Sequence, residues 1–384
     1  MKTRITALDI ASWGGCMVLA TSGVIVAICL PEISKTLAIS HAAGGGTETA
    51  RTLLFIVVML LAGFSVHAWG KKHFITLGLY LMAAGFLMVS FSQSYTMFIV
   101  SLMIVGIGSG LTKALINPLV VDIHPDHSGK YLNITTAFYP IGVMTAALLF
   151  GELLTLGYSW RIIFRIAAAA ALVTGLFFNG LRFPTVVANE HSASQMFVQI
   201  FRLWEFWLFA VSMFLAAGAE AAITFWSRSY VETYLKDVPR AGAMAVLIFA
   251  GMMAFGRLFA AKLSTRIAAR TIMVYSAILG IAASIMLPFA RTLGTFYILV
   301  ALAGIAISSF WPSMLAEAAS RLKVDSTILF ILLACFGIAG YGLTPWFMGV
   351  IGDYAQLRTS FFIVPGIFVM LSVLLALQQR TIRR

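Results

Sequence analysis

The chain has 384 residues, of which 61% are hydrophobic and 10% charged, with a mean hydropathy of +0.97 and a net charge of +12. A soluble domain carries about 25% charged residues and cannot hide this much apolar surface, so a soluble globular fold is excluded and a polytopic membrane protein remains. The basic residues stand in ones and twos between apolar runs, which excludes a nucleic-acid surface and fits positive-inside topology with contact to anionic lipid heads.

The opening MKTRITALDIASWGGCMVLATSGVIVAICLPEI has the basic flank of a secretory signal. Its apolar run is too long and no small-residue cleavage site follows, so it reads as an uncleaved first span. Twelve runs long enough to cross ~30 Å of hydrocarbon are predicted at 10–31, 50–69, 73–92, 95–121, 131–154, 160–182, 205–228, 241–262, 271–290, 293–317, 325–350 and 358–379. The ten-residue alternation of barrel strands is absent, so the spans are helices. With the N-terminus inside, fifteen Lys and Arg fall on inner segments and nine on outer ones, Arg228 among the latter. Lys113 and Arg257 lie within spans. This bias places both termini in the cytoplasm of a cell that carries the chain in its plasma or inner membrane. Cys16, Cys29 and Cys335 sit in apolar runs without metal-ligand spacing, so neither a disulfide framework nor a metal is expected.

The longest inner connection, RFPTVVANEHSASQMFVQIFR, divides the chain into a six-helix half at 1–182, a central cytoplasmic loop at 183–203 and a second six-helix half at 204–384. GFSVHAWGKK, starting at Gly63, resembles AKLSTRIAAR, starting at Ala261, and GELLTLGYSWRIIF at Gly151 resembles GVIGDYAQLRTSFF at Gly349. Both pairs are 198 positions apart. The expectation is an all-α membrane protein of two pseudo-symmetric halves, with a site between them near mid-membrane.

Two lone charges mark candidate site residues. A charged side chain at the centre of a span costs about 2.5–3.5 kcal/mol on insertion scales, so such residues face a cavity or a partner. Glu220 lies mid-way along span seven, with Thr224 and Ser227 on the same helical stripe. Lys113 and Asn117 share a face of span four, with Ser109 one turn before and the small residues GIGSG alongside. In one reading Glu220 and Lys113 line a central cavity, where the carboxylate binds and releases a proton and the lysine attracts an anionic group. In the other they form a buried ion pair that fixes helix register and touches no solute. Tyr139, Trp226, Trp311, Tyr341 and Trp346 are candidates to stack on a ring, and equally candidates for packing or interface anchoring. Asp122, His124 and His127 in DIHPDH have the composition of a metal site, but a proline-broken helix exit is the simpler reading.

Gly63, Gly70, Lys71 and Lys72 resemble the loop signature of the major facilitator superfamily, with His67 where an Asp is usual and Ala68 where an Arg is usual. The second copy keeps Arg266 and Arg270 and has Thr265 at the acidic position. The resemblance covers essentially the whole chain and implies the major facilitator fold. KALINPLVVDIHPDHSGKYLNITTAFYPIG, from Lys113, is similar to the fucose permease group of sugar:proton symporters through Asn117, Pro118, Asp122, Pro125, Leu132 and Asn133. That group places a carboxylate where this chain has Lys113 and another where it has Ala27, four residues before Pro31, which is read as the end of span one.

The resemblance implies a secondary transporter that moves a small organic solute by alternating access, with protons as the coupled ion, no cofactor, no nucleic acid and a monomeric state. Lys113 favours a sugar acid or carboxylate, and a neutral sugar fits if Glu220 neutralises Lys113. His67, Lys71, Asp122 and Arg266 are read as loop residues that latch the outward-facing state, against ordinary solvated loop charge. For Arg257, late in span eight, gating stands beside a structural bridge to carbonyls or an acid. Span five, AFYPIGVMTAALLFG, lacks the glycine-and-proline pattern of antiporters, which favours symport. Drug or metabolite efflux and a non-transporting receptor are the alternatives. No nucleotide loop, nucleophile elbow or zinc motif is present, so an enzyme is not supported.

Overall fold

The computed structural model describes residues 5–124, 128–183, 199–263, 266–322, 324 and 326–382, without the side chains of 63–69, 128–130, 132–133, 261, 326–327 and 379–382. Twelve helices among these are long and apolar enough to span a membrane. They are α1 Ala7–Leu37, α2 His41–Ala62, α3 Gly70–Phe91, α4 Tyr95–Ile123, α5 Ile134–Thr155, α6 Trp160–Gly180, α7 Trp204–Leu235, α8 Pro239–Ala260, α9 Ala269–Phe289, α10 Leu293–Leu322, α11 Ile328–Tyr354 and α12 Leu357–Gln378.

The chain divides into two compact units, one of Met1–Ile39 with Ala50–Glu190 and one of Ser40–Thr49 with His191–Arg384. In unit 1, α1 is the central helix and packs on α5, α6 and α4. In unit 2, α7 is central and packs on α11, α12 and α8. The pairs α1–α5 and α1–α6 of unit 1 therefore recur as α7–α11 and α7–α12 of unit 2, six helices on. Small residues set the spacing in unit 1. Gly108 of α4 lies so close to Gly78 and Met82 of α3 that an added Cβ would collide with them. Close backbone approach of this kind is how helices associate where lipid supplies no hydrophobic drive.

Several helices run past their predicted ends, each for an identifiable reason. Pro31 does not end span one. It sits inside α1, which continues to Leu37 and stops at Ala38 in the left-handed conformation, φ 50°. Buried Ile28, Cys29, Leu30 and Ile33 hold the segment around the proline, and a membrane-embedded helix tolerates the lost bond when its neighbours pack well. At its other end Thr6 and Asp9 form a reciprocal capping box.

Helix α2 starts at His41, nine residues before the predicted 50. HAAGGGTETA lacks an apolar signal, but its backbone N–H groups find an acceptor far along the chain. The Asp353 carboxylate of α11 takes the N–H of His41 and of Ala42, each at 2.8 Å, and the His41 ring at 2.9 Å. Thr49 donates to the Gly342 carbonyl at 2.7 Å. Helix α7 runs on to Leu235 through a π-helical turn at Val231–Leu235. Arg228, counted from sequence as an outer helix end, is fully buried there and pairs with Glu232 at 2.6 Å.

Candidate functional site

Within unit 1 the structure gathers Lys113, Tyr139 and α1. Lys113 is half-buried, and its Nζ stands 5.6 Å from the centroid of the Tyr139 ring on α5, within reach of a cation–π attraction. Lys113 also acts electrostatically on Cys16 of α1. The Tyr139 hydroxyl points at Gly23, where an added Cβ would stand 3.1 Å from it. Asn117 follows one turn on, also half-buried. Ser109, one turn before Lys113, is buried and lies 3.3 Å from the Ser22 hydroxyl of α1.

Trp13 belongs to the same neighbourhood through the α1–α5 contact. Its ring stacks on Phe138 at 4.7 Å and 6°, and its indole N–H is buried without an acceptor among the described residues. Thr135, one turn before Phe138, has a buried hydroxyl in the same condition. Buried donors are nearly always satisfied in native proteins, so an open one marks a place for water or a ligand. Sequence reasoning missed Trp13. The signal available was an aromatic residue followed by two glycines, WGG, in the first half of span one.

Within unit 2, Glu220 of α7 is half-buried, and the charge acting on it is Arg257 of α8. The Arg257 guanidinium reaches Met253 Sδ at 3.8 Å, and its Nε is buried without an acceptor among the described residues. Arg257 is thus an electrostatic neighbour of Glu220. The stripe beyond Glu220 is engaged inside the unit. Thr224 is buried, and the buried Ser227 hydroxyl donates to the Ile223 carbonyl at 2.6 Å. The buried Trp226 donates its indole N–H to the Pro345 carbonyl of α11 at 3.1 Å. Trp311 is half-buried on α10 with its ring over Gly337, Tyr341 is half-buried on α11, and Trp346 is exposed beside Phe347.

The loop residues gather at the α2–α3 end of unit 1. Gly70 takes φ 77°, ψ 149°, a left-handed position that favours glycine. Lys71 pairs with Asp122, tying the start of α3 to the end of α4, and Lys72 donates to the Leu181 carbonyl after α6 at 2.9 Å. His124 caps α4, bonds the buried Asp9 of α1 at 2.9 Å and stacks on Tyr131 at 3.5 Å. His124 therefore serves a helix end, and the described residues contain no cluster of three or more potential metal ligands. Arg266 is exposed. The side chains of Gly63, His67, Leu132 and Asn133, and all of Pro125, His127 and Thr265, lie outside the described residues.

Residues 12–291 match the profile of the Major Facilitator Superfamily. The chain belongs to that superfamily. It is a multi-pass membrane protein of a family of transporters, not of enzymes. It is 22% identical over 328 residues to the membrane protein MosC of Rhizobium meliloti, covering 83% of this chain and 77% of MosC. It is 24% identical over 371 residues to the L-fucose-proton symporter of Escherichia coli strain K12, covering 85% of this chain and 83% of that protein. Its fold matches the structure of a bacterial homologue of the human lysosomal transporter Spinster with a TM-score of 0.84 at 15% identity, over 98% of this chain and 96% of the other.

Proposed function

We propose that this Major Facilitator Superfamily member carries a small organic anion, of the sugar-acid or carboxylate type, by alternating access with proton symport. The observation that carries the reading is the half-buried Lys113 beside Tyr139, with Asn117 on its face and the open Trp13 N–H near by. A cation inside the membrane is costly unless something compensates it, and a ligand carboxylate does so while the tyrosine and indole faces take the carbon skeleton. The likeness to an L-fucose-proton symporter supports a sugar-like skeleton and proton coupling. The sign reversal at Lys113 moves the solute from a neutral sugar to an acid.

Glu220, under the field of Arg257, is the proton-carrying group. The chain resides in the cell membrane with both termini cytoplasmic, an orientation supported by the Lys and Arg bias.

The test is a thermal-shift screen of the purified protein against sugars, sugar acids and carboxylates, since binding to the folded form raises its apparent stability. Proton-driven uptake of the hit by proteoliposomes follows. Stabilisation by neutral sugars alone would move the solute class away from anions. Absence of any flux would remove the transport reading. A cysteine at Ser192 that labels with an impermeant reagent in intact cells would overturn the orientation.

A further inference from the structure

Glu220 of α7 and Arg257 of α8 are aimed at each other by the direction of their helices. Helix α8 follows α7 after a short turn, so the two run antiparallel, and an added Cβ at Gly242 of α8 would collide with Arg228 of α7. From that contact Glu220 lies eight residues back along α7 and Arg257 fifteen residues on along α8, which leaves about 10 Å between their levels. Helical side chains lean toward the N-terminus of their own helix, so on antiparallel helices these two lean together. The Arg257 guanidinium follows that direction to Met253 Sδ, one turn back, at 3.8 Å.

The two groups converge without touching. Arg257 is the charge that acts on Glu220, yet no ion pair or hydrogen bond joins them among the described residues. A thioether is a weak acceptor, and Arg257 Nε is buried with no acceptor among the described residues. The other charged groups on α7 and the helices packed against it serve elsewhere. Arg228 pairs with Glu232, Glu317 with Arg321, and Asp353 of α11 holds the start of α2. Arg358 of α12 holds the Pro288 carbonyl, and Arg240 and Lys262 are exposed at the two ends of α8. Cys335 and Tyr341 of α11 are titratable but neutral as a thiol and a phenol. A guanidinium with an unspent Nε therefore faces one carboxylate across a gap.

We propose that this gap is an anion subsite, in which the carboxylate of a ligand lies on the Arg257 guanidinium and a proton enters with it onto Glu220. Arginine Nε and an adjacent Nη form a fork that matches a carboxylate. An ionised Glu220 beside that ligand would set two like charges together, whereas the protonated acid removes the repulsion and offers an O–H donor. Anion and proton then each bind more tightly in the other's presence, and the coupling is reciprocal. The inference rests on Glu220 as the proton-carrying group and is independent of Lys113.

The test adds acetate, or gluconate as a carboxylate on a sugar-acid chain, to the full-length protein in unbuffered detergent solution, with protons followed by an indicator dye. Either anion should draw protons onto the wild type, and its apparent affinity should rise by about 5- to 150-fold as pH falls through the titration. Neither measurement needs a variant. Arg257→Gln should abolish the proton uptake, and Arg257→Lys, which keeps the charge and loses the fork, should restore part of it. Lys113→Gln should leave it in place. Glu220→Gln, a fixed mimic of the protonated acid, should take up no proton and bind acetate equally well at every pH. Tighter binding of gluconate than of acetate would assign the carboxylate to the solute, and equal binding would assign it to a free anion; both keep the subsite. No proton uptake by the wild type, uptake that survives Arg257→Gln, or uptake lost in Lys113→Gln would overturn the subsite while Glu220 stands as the proton carrier. Uptake that persists in Glu220→Gln would instead overturn the reading of Glu220, and the linkage with it.

Discussion

The indole N–H of Trp13 in unit 1 meets no acceptor among the described residues, whereas that of Trp226 in unit 2 is bonded to the Pro345 carbonyl. The hydroxyls differ in the same way: Thr135 of unit 1 is buried and open, and Ser227 of unit 2 is spent on its own helix. The open nitrogen of α8 in unit 2 is instead a charged one, Arg257 Nε, on the residue whose field acts on Glu220. Two bodies built on one helix-pairing plan have thus kept different chemistry. Unit 1 presents neutral donors, an aromatic face and a lysine, which suit an organic solute. Unit 2 presents a carboxylate and a guanidinium, which suit a proton.

Four substitutions break or sharpen this contrast. The largest effect is expected from Glu220→Gln, which keeps the shape and loses the titratable group. Accumulation driven by a pH gradient should vanish while solute binding and equilibrium exchange persist. Wild-type accumulation by this variant would end the division of labour. Lys113→Gln should weaken binding of an anionic solute by about 1.5–3 kcal/mol, the worth of a charge-assisted hydrogen bond, or roughly 10- to 150-fold. Equal affinity in isothermal titration would remove the anion site.

Trp13→Phe keeps the stacking face and deletes the open N–H. It should lower solute affinity by about 0.5–1.5 kcal/mol with little change in melting temperature, because no hydrogen bond among the described residues is lost. Trp226→Phe should do the reverse. It removes a buried hydrogen bond, so stability falls by about 0.5–1.5 kcal/mol and affinity stays put. A swap of these two outcomes would assign the solute-facing indole to unit 2.

Much of this was legible in the sequence because the membrane simplifies the code. Apolar length located twelve spans, and the cost of isolated charge singled out Lys113 and Glu220. Other features escaped because their causes are distant or cooperative. The start of α2 depends on a carboxylate 312 residues away, which no local propensity encodes. Trp226 has the look of a ring-stacking residue until Pro345 appears beside it. Arg257 becomes informative only when α8 is laid against α7. Trp13 needed the α1–α5 contact before its nitrogen could be recognised as open.

The persistence of α1 through Pro31 and of α4 through Pro118 leaves a mark on the backbone itself. Proline brings no N–H, so the carbonyls four residues earlier, those of Ala27 and Ala114, lose their usual helical donors. Ala27 is the position where the fucose permease group carries a carboxylate, and Ala114 adjoins Lys113. A peptide oxygen of this kind is a fixed dipole that accepts a hydrogen bond at every pH and never takes up a proton. At these two levels of unit 1, an acceptor that pH cannot switch stands in the backbone, and the side chains beside it are a methyl group and an ammonium.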